Sequence, residues 1–284
     1  MKKILLTSLI FFILACILFR RGKQEPLYVS PEKLPETIRA PSVTESKILE
    51  QIFLINLKNS NLESIVYENL EIRTSERPNF RLRGFIAYKK HKNFRMTIHS
   101  FLGQESDIGS NSKCFWFWSK RMNPPALYWA THENVHKTRL RTPFNPMWAM
   151  ESLGVNAISP VWLLKHVEIS EQGKFFKIIR HIKGMQGRPV MKITLLDPQQ
   201  NAIVGNYLHN YKELIVSTEI KEFYFLNDLT VPKRIVVTWH EENIQIEWKL
   251  PLPKINYNIS EELWERPYRS LQIDMGNKIT SSYF

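Results

Sequence analysis

Cysteine is nearly missing from this sequence: the two present, Cys16 and Cys114, are too few for a disulfide framework. Glycine is scarce too, with 10 residues in 284, and charged residues make up 23%. These figures exclude collagen-like repeats, low-complexity sequence and a coiled coil. No internal repeat is visible. There is no GxSxG, no glycine-rich phosphate loop and no GxGxxG. Acidic side chains are in the minority, 27 against 39 basic, giving a formal net charge of +12 and attraction to polyanions: nucleic acid, anionic lipid head groups or cell-envelope polymers. What is plentiful is apolar. At 43% hydrophobic residues, the chain can build a substantial core in one large domain or two small ones.

The N-terminus decides among the polyanions. Lys2 and Lys3 precede an apolar run from Ile4 to Ala15, the layout of a secretory signal. The domain is therefore expected outside the cytoplasm, where nucleic acid is not a partner. The run ends in Ile13-Leu14-Ala15-Cys16, which resembles a bacterial lipobox and implies an acylated, palmitate-bearing Cys16 as the first mature residue. Each buried methylene adds ~0.8 kcal/mol, so several chains on one cysteine tether a domain for good. The alternative is an uncleaved signal anchor, since Ile17-Leu18-Phe19 continue the apolar run. Such a helix from Ile4 to Phe19 would span only ~24 Å of the ~30 Å hydrocarbon core. Residues 16–44, with Pro26, Pro31, Pro35 and Pro41, read as an extended linker.

Beyond the linker, Glu45 to Lys58 carries apolar residues at Ile48, Leu49, Ile52, Phe53 and Leu57 and predicts a helix, with Ser42 or Thr44 as its cap. From Ser64 the period becomes two. Strands are predicted over 64–73, 80–90, 93–101, 113–119, 166–171, 174–182, 190–196, 202–210, 213–225, 231–240 and 243–250, about eleven in all. A phase slip at Gly84 predicts a bulge. Asn145 to Gly154 reads as a short helix opened by Pro146 and stopped by Gly154, and residues 160–166 as a further turn. The fold class is α+β, mainly antiparallel β: one curled meander with helices on its concave side.

The densest feature is Lys113 to Trp129, KCFWFWSKRMNPPALYW. Alternation puts Phe115 and Phe117 on one face and Trp116 and Trp118 on the other, so both faces of that strand are apolar. Cys114, in an apolar strand, reads as a buried, inert thiol. His132-Glu133-Asn134-Val135-His136 satisfies the HExxH pattern, which on a helix presents two histidines to zinc. The context argues for a surface turn: Pro124-Pro125 and a strand-like aromatic run precede it, and Asn134 and Thr138 interrupt the apolar face a helix would need. Neither a metal nor a cofactor is expected, and the protein is read as non-enzymatic.

Three segments carry a family resemblance. RPNFRLRGFIAYKKHKNFRMTI at 77–98 is an arginine-rich strand pair. The aromatic stretch is followed by PFNPMWAMESLGV at 143–155. TVPKRIVVTW at 230–239 and LPKINYNISEELWERP at 252–267 close the domain. Together they resemble a divergent branch of the bacterial lipoprotein carrier and receptor superfamily, LolA and LolB. That resemblance implies an unclosed β-barrel over residues 45–267, a C-terminal tail at 268–284, and a hydrophobic cavity that accepts lipid or lipoprotein acyl chains, with a role in lipoprotein sorting to the outer membrane. Lining residues would be Phe85, Met96, Phe115, Phe117, Trp129, Trp148, Met150 and Leu153. Arg81, Arg83 and Arg95 would meet anionic groups. The other reading of the same fold is an envelope scaffold or sensor binding a protein or cell-wall polymer through the basic strand region.

Overall fold

The computed structural model describes residues 43–75, 77–90, 93–138, 150–158, 167–183, 189–210 and 213–276. Helix α1 (Val43–Ser60) is followed by β1 (Ser64–Thr74), β2 (Arg77–Lys89), β3 (Asn93–Ser100), β4 (Gly103–Ser110), β5 (Cys114–Ser119) and β6 (Leu127–Thr131). Then come β7 (Val167–Gln172), β8 (Phe175–Lys183), β9 (Pro189–Asp197), β10 (Ala202–Asn210), β11 (Glu213–Leu226), β12 (Leu229–Trp239) and β13 (Ile244–Lys249). Two short strands close the chain, β14 (Lys254–Ile255) and β15 (Gln272–Asp274).

Fourteen strands form one hydrogen-bonded path in the order β15-β6-β5-β4-β3-β2-β1-β13-β12-β11-β10-β9-β8-β7, with β14 paired to β1 beside it. All neighbours are antiparallel except β15, which runs parallel to β6. The end strands do not pair with each other, so the sheet is unclosed. It is also curled. Tyr88 of β2 donates to Asn156 Oδ1 at 2.7 Å, and Lys192 of β9 pairs with Glu151, five residues away in the same short segment. Six strand spacings separate β2 from β9. In a flat sheet that is ~29 Å, so the sheet must wrap the segment.

The fold class is therefore as expected in kind, with more strands than about eleven. The four additions are β4, β6, β14 and β15. Strand β4, GQESDIGS, has little β-branched or aromatic character, and its edges are satisfied by β3 and β5 on either side. Its acids are buried against cations: Asp107 meets Arg95 at 2.8 Å and Glu105 meets Arg121 at 3.1 Å. β15 lies beyond Pro267, so folded structure continues into the segment read as a tail.

Helix α1 buries Ile48, Gln51, Ile52, Ile55 and Asn59, a stripe rotated from the expected one. Phe53 and Leu57 are 64% and 56% exposed. Polar contacts set the rotation: Gln51 Nε2 donates to Asn201 Oδ1 at 2.9 Å, and the Asn56 amide bonds both the N–H and the carbonyl of Ile158 at 2.7 Å. The bulge expected at Gly84 lies one strand over. The register of β1 slips at Asn69, which takes a left-handed φ of 59° opposite the Gly84–Phe85 step. A Cβ on Gly84 would meet Leu70 Cγ and Thr97 O at 3.1 Å.

Candidate functional site

Antiparallel pairing places directly opposed residues on one face, so rows can be followed across the sheet. One row runs Tyr67, Ile86, Met96, Ile108, Phe117, Tyr128; the next runs Ile65, Tyr88, Phe94, Ser110, Phe115, Ala130. These rows share the face that carries Met150, Leu153 and Val155 of the segment 150–158, and through Ile178, Leu196 and Ile203 it seats helix α1. This is the inner face. Met96, Phe115, Phe117, Met150 and Leu153, all expected to line a site, lie on it or pack against it. Phe117 stacks on Tyr128 with ring centroids 5.2 Å apart. Gly154 stops the segment with φ of 66°, as its sequence position predicts.

Two expected lining residues are on the other side. Phe85 belongs with Val66, Ala87 and Trp264, and Trp129 with Trp116, Trp118, Cys114 and Leu127. This outer face is covered by the chain after β13. A 3₁₀ turn, Glu261–Trp264, drops Trp264 onto Val66 and Ala87. Arg95 Nη1 donates to Leu263 O at 3.0 Å and Asn111 Nδ2 to Trp264 O at 3.0 Å. Arg266 then stacks over Trp129 at 3.9 Å and Arg269 over Trp118 at 4.2 Å. Alternation could say that 115 and 117 part from 116 and 118; the C-terminal strap decides which pair is inner. Burial pushes the Cys114 thiol up, consistent with an inert group.

The three arginines expected to meet anionic groups also lie outside. Arg81 and Arg83 are exposed and alternate with inner Leu82, and Arg95 is bound to Asp107 beneath the strap. The inner face carries other cations. Arg180 and Lys192 are directly opposed on β8 and β9, in the row that continues to Leu208 and Val216. Lys192, 3% exposed, pairs with Glu151. Around it Thr194 Oγ1 donates to Asn206 Oδ1 at 2.9 Å, Asn206 Nδ2 donates to Glu151 O at 3.3 Å, and Ser152 Oγ meets Thr218 Oγ1 at 3.1 Å. Burial holds both cations' pKa values below the usual range, with Glu151 opposing the shift. The signal was present in sequence: Phe176, Ile178, Arg180 and Ile182 share a face, as do Val190, Lys192, Thr194 and Leu196.

The HExxH window is the 3₁₀ turn His132–Lys137, capped by Thr131. At three residues per turn, positions four apart do not align. His132 Nε2 instead contacts Asn111 O at 2.7 Å. Among the described residues no cluster of three potential metal ligands occurs, and no described helix is long and apolar enough to cross a membrane. Cys16 and Trp148 lie outside the described residues, as do residues 145–149 of the first expected short helix and all of 160–166.

An unclosed antiparallel sheet curled around an N-terminal helix and a short inner segment is the architecture that the LolA/LolB resemblance implies, and solved structures share it. Similar solved structures include an outer membrane lipoprotein-sorting protein domain from Vibrio parahaemolyticus, with 9% identity and a TM-score of 0.51 over 76% of this chain and 95% of that one. A DUF1329 family protein from Desulfovibrio piger matches with 8% identity and a TM-score of 0.53 over 79% of this chain and 98% of that one. At such identities the likeness establishes the fold alone. No protein-family model matches the sequence, and no curated protein matches it significantly.

Proposed function

We propose that this protein is a membrane-tethered, non-enzymatic binder of lipid or lipoprotein acyl chains in the cell envelope, with the chain lying against the inner face of the curled sheet. The observation that carries this reading is the inner face itself. Tyr67, Ile86, Met96, Ile108 and Phe117 form a continuous apolar row across five strands of an unclosed sheet. Among the described residues it packs with the short segment 150–158 and with the facing strands of the same curled sheet, not with a second sheet. A short segment can part from such a face at less cost than a packed sheet. A chain of about fifteen methylenes moved from water onto it gains on the order of 12 kcal/mol before the cost of lost freedom. The lipoprotein-sorting neighbour shares the architecture and so supports the reading. Acylation at Cys16 would supply the tether, residues 16–44 the reach, and the outer membrane the favoured site.

Native mass spectrometry of full-length protein extracted in mild detergent tests this. Adducts with acyl-lipid masses are expected. Bare protein that also fails to take up added hexadecanoate and hexadecan-1-ol would overturn the reading. The anchor is tested separately, since an intact, unmodified Met1 on the mature chain rejects it.

A further inference from the structure

Like charges directly opposed across two strands destabilise a sheet, and burial adds desolvation of each ion. Arg180 and Lys192 stand in that relation on the inner face, in a row otherwise made of Leu208, Val216 and Trp239. Methionine or leucine would fill the row without that desolvation. Glu151, which answers both charges, comes from the segment 150–158 and not from the sheet, and its side chain keeps 31% of its surface in water. The hydroxyls and amide of Thr194, Asn206, Thr218 and Ser152 gather beside the pair.

We infer that Arg180 and Lys192 form the seat for the anionic head of a bound amphiphile, a carboxylate or phosphate carried on an acyl chain. The inference rests on the acyl-chain reading and names the head group that site selects. An incoming oxyanion takes the place of the Glu151 carboxylate on Lys192 Nζ, and the glutamate turns into the water it already touches. The exchange swaps one carboxylate partner for another, so no buried cation is left bare at any stage. Glu151 is then a competitor for the seat, and its removal should favour the ligand.

The test compares retention of hexadecanoate and hexadecan-1-ol, which differ only in the head, by full-length protein through gel filtration. Wild type is expected to hold the acid about tenfold or more tightly than the alcohol, the range of a charge-assisted hydrogen bond. Lys192→Met should bring that ratio close to one, and Glu151→Gln should raise hexadecanoate retention several-fold. A wild-type ratio near one, or a ratio unchanged in Lys192→Met, overturns the head-group seat while leaving chain binding intact. If Lys192→Met does not fold, Arg180→Met and the wild-type ratio decide the matter by the same criteria. Retention of neither probe removes the acyl-chain reading and this inference with it. Displacement of hexadecanoate by millimolar inorganic phosphate would identify a free-anion site and overturn the assignment to an amphiphile.

Discussion

The close packing of Trp116 of the aromatic strand β5 against β4 depends on a single missing methyl group. Gly109 on β4 is directly opposed to Trp116 on β5. A Cβ at Gly109 would lie 2.9 Å from Trp116 Cη2 and closer still to Cζ2 and Cε2. The indole cannot retreat: it has no exposed surface, and Nε1 donates to Asp107 Oδ1 at 3.3 Å while Asp107 is held by Arg95. Gly109→Ala should therefore cost about 1–3 kcal/mol, the range for forced overpacking. Trp116→Phe, which removes the atoms that collide, should cost roughly 2 kcal/mol on its own by leaving a void. Together the two changes should fit, because the new methyl enters the space the smaller ring vacates. Guanidinium unfolding followed by far-ultraviolet circular dichroism on all four proteins measures the cycle. A coupling of at least ~1 kcal/mol in the direction of rescue is expected. Single-mutant costs that add to within ~0.5 kcal/mol, or a neutral Gly109→Ala, would show that ring and glycine do not share that space.

The strap gives the next prediction. Trp264→Ala should destabilise the domain by about 3–5 kcal/mol and make the chain between Leu250 and Gly276 the first site of limited proteolysis; a loss under ~1 kcal/mol would mean the strap is not part of the folded unit. The Tyr88 hydroxyl, which ties β2 to the inner segment through Asn156, is pushed up to about 12 by burial and by Glu63. The unfolded chain ionises this tyrosine near pH ~10, so the linked stability is complete below that pH and is lost as pH rises toward 12. Tyr88→Phe should flatten this alkaline limb, and an unchanged limb in pH-dependent unfolding would refute the assignment.

Much of this organisation was legible in the residues. The period-two runs located every strand whose alternation is apolar against polar, and α1 followed from its stripe. Strand β4 escaped because GQESDIGS carries no apolar alternation, and its Glu105 and Asp107 are buried only through Arg121 and Arg95 from other segments. β15 escaped because three residues paired in parallel to a distant strand leave no periodic trace. The helix stripe was placed a fraction of a turn away because Gln51 and Asn56 bond partners far along the chain, which turns Gln51 and Asn59 to the buried side in place of Phe53 and Leu57.

Alternation by itself determined which residues travel together: Phe115 with Phe117, Trp116 with Trp118, Lys192 with Val190 and Leu196. That follows from the geometry of a strand, which is local. Only the tertiary structure decided which face is inner, because that depends on what covers each side. The strap from Leu250 to Gly276 covers one side, and α1 with residues 150–158 the other. Those coverings put Arg81, Arg83 and Arg95 outside and Arg180 and Lys192 inside, and left Phe115 and Phe117 as the described aromatics on the inner face among the expected lining residues. A strand's own residues cannot encode that choice, since both of its faces are apolar and packing alone breaks the tie.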